Sequence, residues 1–424
     1  MRSLFSALLF ALVLKPASAF SAEIRVWKGG GASNLWSLSD NWSNGAPQDG
    51  DSVLLSRNPL GLPFTAVNDI TNLALRKIVV EAQSYNLSGG KIRLSEGIEV
   101  GSPMGAAALV ASLPVDFVGS AMSLLIQDNS GLQISSTVTA SPGTVVTIDG
   151  SITLRLTGGG AYAAETHLVR GFLALLFAPL SVGGPVIVGG GANVANIITQ
   201  AGNQFANRPP VTILTNGSFF NIATFQDIGA FKLDGGTLSL GGTAPQGRIA
   251  VNGDAVLTGE GTVNVSAFSS GIPGELSVTG RVSIAHCKLR VFSTVATTAP
   301  AVFIRNDGAD PVEGVFDGLP EGSLISVVDK VFEITYHGGD GNDVALIPRG
   351  ALVMTAIHLG SPNSMVVEGI GPANALIHIE ASPGIASPGW TFRGETASDA
   401  GGLFRFMDPF LSSSGPLFYR AALP

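Results

Sequence analysis

Most of the chain alternates apolar and small polar residues in runs of four to six, and glycine delivers and removes each run. The clearest copies are Gly89-Gly90-Lys91-Ile92-Arg93-Leu94, Gly235-Gly236-Thr237-Leu238-Ser239-Leu240-Gly241-Gly242 and Gly259-Glu260-Gly261-Thr262-Val263-Asn264-Val265. Further short runs lie at 145–148, 152–156, 185–188, 211–214, 249–251 and 276–284. Period two puts every second side chain on one face, so these runs predict short strands, and the Gly, Asn-Gly and Asp-Gly steps between them predict sharp corners. Helical periodicity is nearly absent.

Dense, fairly even strands of this length suit a coil whose turns stack, each burying its inward row against its neighbours. An antiparallel sandwich competes, since Asn216-Gly217, Asn252-Gly253 and Asp234-Gly235 are good hairpin corners. A solenoid needs left-handed backbone at its corners as well. The repeat persists over some 200 residues, too many for one sandwich without very many strands, and this favours the solenoid. Near Pro348 glycine thins out, and segments 364–369, 375–381, 389–394, 402–407 and 417–421 read as conventional strands of a small β-sandwich. The expected organisation is a leader at 1–22, a parallel β-helix with an N-terminal cap at 23–348 and a β-sandwich at 349–424.

Composition agrees: 55 Gly, 24 Pro, 45% hydrophobic and only 13% charged residues disfavour long helices. Arg2, the apolar run 4–14 broken only by Ser6, and Ala17-Ser18-Ala19 or Ala22 as cleavage points read as a secretory signal peptide. The run 172–188 also looks apolar, but Arg170, Pro179 and Gly183-Gly184-Pro185 interrupt it, so it reads as a strand buried on both faces. After signal removal no transmembrane segment is expected. Losing Arg2 and Lys15 takes the formal charge from −8 to about −10, which disfavours nucleic acid as a partner. The lone Cys287 cannot form an internal disulfide and, alternating with Ala285, Leu289 and Val291, reads as a small buried hydrophobe.

Several blocks resemble a known family. Trp27-Lys28-Gly29-Gly30, Trp36-Ser37, Asn41-Trp42-Ser43, Gly45, Pro47 and Gly50-Asp51-Ser52-Val53 look like the opening of bacterial exported proteins built from autotransporter-type β-strand repeats. Ile228-Gly229-Ala230-Phe231-Lys232-Leu233-Asp234-Gly235-Gly236-Thr237 resembles the repeat unit. Asn306-Asp307-Gly308-Ala309-Asp310-Pro311-Val312 resembles the approach to the closing segment. Phe316-Asp317-Gly318-Leu319-Pro320-Glu321-Gly322 and Tyr336-His337-Gly338-Gly339-Asp340-Gly341-Asn342-Asp343-Val344 resemble that segment itself. The resemblance implies a right-handed parallel β-helix outside the cell, with structural or adhesive roles and no particular reaction. About 75 residues follow the helix, too few for a translocator barrel of eight long strands, so self-transport is not expected.

The candidates for chemistry are sparse. Residues 338–346 have the spacing of a nonapeptide calcium-binding turn, which makes Asp340 and Asp343 weak candidate ligands for Ca²⁺. The match is a single copy, so a structural turn is the expected reading. Trp27, Trp36, Trp42 and Trp390 are candidate stacking platforms for sugar rings, against a cap for the first three and a sandwich core for the last. Asp116, Asp128, Asp149, Glu165 and Asp227 are isolated along the chain, with no spacing that aligns any two on adjacent coils, and read as solvated corner residues. The row His286, Lys288, Arg290 reads as a charged outer face. There is no Gly-x-Ser-x-Gly, no His-Glu-x-x-His and no second Cys. The expected function is a non-catalytic exported structural or adhesive surface protein without a catalytic residue or cofactor, with cell-surface or polysaccharide components as candidate partners. The alternatives are a polysaccharide lyase or glycoside hydrolase on the same fold, and a carbohydrate-binding protein.

Overall fold

In the computed structural model the described residues are 22–56, 64–81, 83–101, 105–156, 162–175, 182–200, 202–221, 225–241, 247–267, 274–293, 300–327, 330–360, 364–384, 389–409 and 417–424. The fold is all-β, a parallel solenoid of about ten turns over residues 24–306 followed by small antiparallel sheets. Among the described residues a single 3-10 turn, Ser39–Asn41, interrupts the strands near the start.

Alternation becomes coils because strands of successive turns pair parallel and in register. On the first face Leu168, Val188, Ile213, Leu233, Leu257 and Ile284 sit directly above one another, one per coil. The second face stacks Leu173, Ile197, Phe219, Leu238, Val263 and Leu289 in the same manner. A third begins with pairs such as Val115–Phe117 on Val138–Ala140 and continues through Phe225–Ile228, Arg248–Val251, Glu275–Val278 and Ala301–Asn306. Each coil spends about 20 to 27 residues, within the period range of repeat architectures.

Inward side chains on these rows are almost fully buried, apart from Leu289 on the last coil, which is partly buried. Burying one large aliphatic side chain contributes about 1.5–3 kcal/mol. A single coil cannot offset its backbone entropy that way, so stability comes from neighbours. Thr199 and Asn221 stand in a row between Leu175 and Leu240, and the Thr199 hydroxyl donates to the Asn221 amide oxygen at 2.9 Å, so this polar step is satisfied from one coil to the next.

Where a strand bends from one face to the next, backbones touch. Gly171 has φ +90° inside Glu165–Leu175, and a Cβ there would lie 1.4 Å from the carbonyl oxygen of Gly150 on the adjacent coil. Gly97 is alike, with φ +138° and a Cβ position 1.8 Å from the Ser123 carbonyl oxygen. Only glycine fits both demands.

The far end closes by a change of direction. Ala301–Asn306 pairs parallel with Glu275–Val278 on one side and antiparallel with Asp343–Ala351 on the other, and Lys330–Gly338 and Leu324–Val327 extend that sheet. On this third face the last coil therefore offers no parallel edge for another to join.

Beyond it lie two three-stranded antiparallel sheets. One comprises Val353–Leu359, Met365–Ile370 and Leu403–Asp408, the other Thr391–Ala397, Leu376–Ser382 and Phe418–Ala422. They share a core of Val367, Phe404, Ile377, Ile379, Ala381 and Tyr419. Behind Tyr419, Asp408 is fully buried, accepts two hydrogen bonds from Arg393 at 2.7 and 2.8 Å and a third from the Tyr419 hydroxyl at 2.9 Å.

Three local expectations need correction. The run 276–284 is two strands, Glu275–Val278 and Val282–Ile284, because the chain turns a corner between faces at 279–281. Ala285 does not share the buried side of Cys287: it is exposed, since His286 takes φ +53° and the turn resets the alternation. Phe172 is 40% exposed, so the run beginning there is not buried on both faces; it lies on an outward row of the second face. The rest of that run at 176–181 and the leader at 1–21 lie outside the described residues, among which no helix is long and apolar enough to cross a membrane.

Candidate functional site

Many ionisable groups of the solenoid pair with one another. Arg170 Nε donates to Asp149 at 2.5 Å and its Nη1 lies 3.1 Å from Asp128, so these two acids, isolated in the sequence, meet around one guanidinium. This corrects the expectation that no acids align across coils: Asp128, Asp149 and Arg170 recur every 21 residues, and Asp149 pairs in register with Arg170. Glu275 is held by Arg248 at 3.4 Å and Arg305 at 3.1 Å, Asp227 by Arg208 at 3.0 Å, and Glu260 by Lys288 at 3.0 Å. Lys288 thus belongs to a surface ion pair, while Cys287 beside it is fully buried, and burial pushes its thiol up to about 12.

Trp27, Trp36 and Trp42 are exposed by 1% or less. Their rings meet edge to face, Trp27 on Trp42 at 4.9 Å and Trp36 on Trp42 at 5.5 Å, and Trp42 Nε1 donates to the Trp36 carbonyl at 2.8 Å. Buried Asn41 ties the surrounding loop together, accepting from the Gly31 N–H and donating to the Ser33 and Leu35 carbonyls. Their burial leaves no indole face for a sugar, which corrects the stacking role for these three. Trp390 is half-buried, with the Arg420 guanidinium carbon 4.6 Å from its ring centre.

Asp340 is exposed, whereas Asp343 is fully buried. Asp343 accepts from the Asn306 N–H at 2.8 Å and lies 3.5 Å from Arg305, while burial pushes its carboxyl above the usual carboxylate range. Its neighbour Asn342 donates to the carbonyls of Gly308 and Asp310 at 2.6 and 2.9 Å. The segment therefore fastens the closing strand to the last coil. Among the described residues no group of three or more His, Cys, Asp or Glu is placed to hold a metal ion.

A concavity lies elsewhere, on the outward side of the second face. Two outward rows cross it in register: Phe172, Asn196, Ser218 and Thr237 in one, Ile198, Phe220 and Ser239 in the other. The corner before each strand shapes it. Coils entering through Asn216-Gly217 and Gly235-Gly236 turn tightly, because those glycines sit where a Cβ would strike neighbouring backbone. The preceding coil enters through the longer corner 189–194, whose end, Val194, stands 62% exposed as one wall. Asn216 Nδ2 donates to the Gly191 carbonyl at 2.9 Å and fixes that corner. The resulting groove has a volume of about 690 Å³, within the range of ligand sites, and none of its lining residues is ionisable. Ser218 donates to the Asn196 amide oxygen, so polar groups one coil apart are held in fixed orientation.

Sequence reasoning missed this groove. Phe172 and Phe220 lie in apolar runs that look like core, and only strand parity, set by the corners, turns them outward. Comparison with family models, with curated proteins and with solved structures found no match for this chain.

Proposed function

We propose that this is a non-catalytic exported solenoid with a structural or adhesive role outside the cell. The observation that carries the reading is the contrast between the neutralised carboxylates and the uncharged groove. Glycoside hydrolysis requires two carboxylates flanking the scissile bond, one of them protonated, and a lyase requires a base beside a neutralised uronate. Asp128 and Asp149 approach one another only through Arg170, which holds both as ion-paired acceptors. The long surface of stacked strands, closed on its third face by the antiparallel hairpin, instead suits a stiff element that presents a face.

Incubation of the purified mature protein with a panel of polysaccharides, followed for reducing ends and unsaturated products, is expected to give no release above a heat-killed control. Release above that control overturns the non-catalytic reading. For export, N-terminal sequencing of protein recovered from the cell envelope or medium is expected to begin at Phe20 or Glu23; an N-terminus at Met1 overturns it.

A further inference from the structure

We propose that the groove on the second face binds an uncharged, extended β-linked polysaccharide, an inference that rests on the non-catalytic reading and names the ligand of that face. Charge is the first argument. The chain has a formal net charge of −8, so an anionic polymer is repelled, and the groove has no carboxylate to receive a cationic one. The second argument is the composition of the lining. A sugar ring offers C–H faces and a rim of hydroxyls, and the rows offer Phe172, Phe220 and Val194 for the faces with Asn196, Ser218 and Ser239 for the rim.

Geometry is the third. Successive coils place side chains of one row about 4.8 Å apart, close to the advance of one hexose in an extended β-linked glycan, so a linear polymer lying along the solenoid within the groove meets one side chain of each row per coil, apolar at Phe172 and Phe220 and hydrogen-bonding at Asn196, Ser218 and Ser239. A peptide cannot join this face as an added strand, because the strands Ala195–Thr199, Gly217–Asn221 and Thr237–Leu240 are paired on both sides. What remains is side-chain recognition of an amphiphilic, uncharged chain.

The test is native electrophoresis of the mature full-length protein through gels cast with hydroxyethylcellulose, arabinoxylan or galactomannan, with polygalacturonate as the anionic control. At least one uncharged glycan is expected to retard the protein and polygalacturonate is not. The pair F172A/F220A is expected to weaken retardation about tenfold, and N196A/S218A to weaken it as well, both with the wild-type circular-dichroism spectrum and melting temperature. Lack of retardation by all three uncharged glycans, equal retardation of wild type and both variants, or retardation by polygalacturonate alone overturns the proposal. So does concentration-dependent sedimentation of the wild type that F172A/F220A abolishes, since a second copy would then occupy the groove. Release of reducing ends from a retained glycan would reject the non-catalytic reading while leaving the ligand class of the groove intact.

Discussion

The solenoid and the C-terminal pair of sheets solve the same problem, a β-structure with a buried side, by opposite means. In the solenoid each inward side chain has counterparts directly above and below, and the core is a set of continuous rows. The C-terminal unit has a core of a few residues and adds a buried Arg393–Asp408–Tyr419 network. It also exposes most of the exposed large hydrophobic side chains among the described residues, including Val353, Ile370 and Leu403 aligned across one sheet. Stacking thus lets a sequence poor in charge remain well covered, whereas two small sheets must leave apolar surface in water.

Three substitutions and one labelling experiment would break or sharpen this contrast. The largest effect is expected from Gly171→Val, which combines a backbone clash with positive φ on a position where two coils touch. A loss of about 4 kcal/mol or more follows, read as insoluble expression or loss of the β circular-dichroism signal; a soluble variant melting like the wild type would refute the close approach. Next, Asp408→Asn should destabilise the C-terminal unit by about 3 kcal/mol by removing the counter-charge of Arg393. Hydrogen exchange should accelerate in Leu376–Ser382 and Leu403–Asp408 and stay unchanged in Val211–Leu214.

A smaller change is expected from Leu359→Ser, because Leu359 is 70% exposed. Chemical unfolding should move by no more than about 0.5 kcal/mol, and a larger loss would mean that this strand packs against something. The smallest concerns Cys287. With its thiol raised from 9.0 to about 12 by burial, the folded state disfavours the thiolate, so its contribution to stability is present below 9.0 and declines as pH rises towards 12. A thiol reagent at pH 8 should label the native protein only as fast as it unfolds; rapid stoichiometric labelling would place Cys287 at the surface.

The fold was legible where local pattern decides it. Val211–Leu214 appears at the bounds that alternation predicts, and the five C-terminal segments correspond to strands displaced by only a few residues. The sixth, Val353–Leu359, escaped because it follows the long strand Asp343–Ala351 with a single intervening residue and no turn signal. Parity after a corner was not legible: His286 at φ +53° turns Ala285 outward, and the corner at Gly171 does the same for Phe172. Contacts between coils were legible in one case and not in the other. Asp128, Asp149 and Arg170 recur every 21 residues, a signal that was there to be counted, whereas the groove row Phe172, Asn196, Ser218 and Thr237 keeps no fixed spacing because the corners differ in length.

The in-register stacking of the coils has one last implication. Because each turn contacts only the turn before and the turn after, a whole coil could be duplicated or deleted between two others and the molecule would grow or shrink by one strand spacing, about 4.8 Å, with both ends left as they are. Reach would then be adjustable in discrete steps, like the rungs of a ladder cut to fit a wall, while whatever chemistry a given stretch displays stays put.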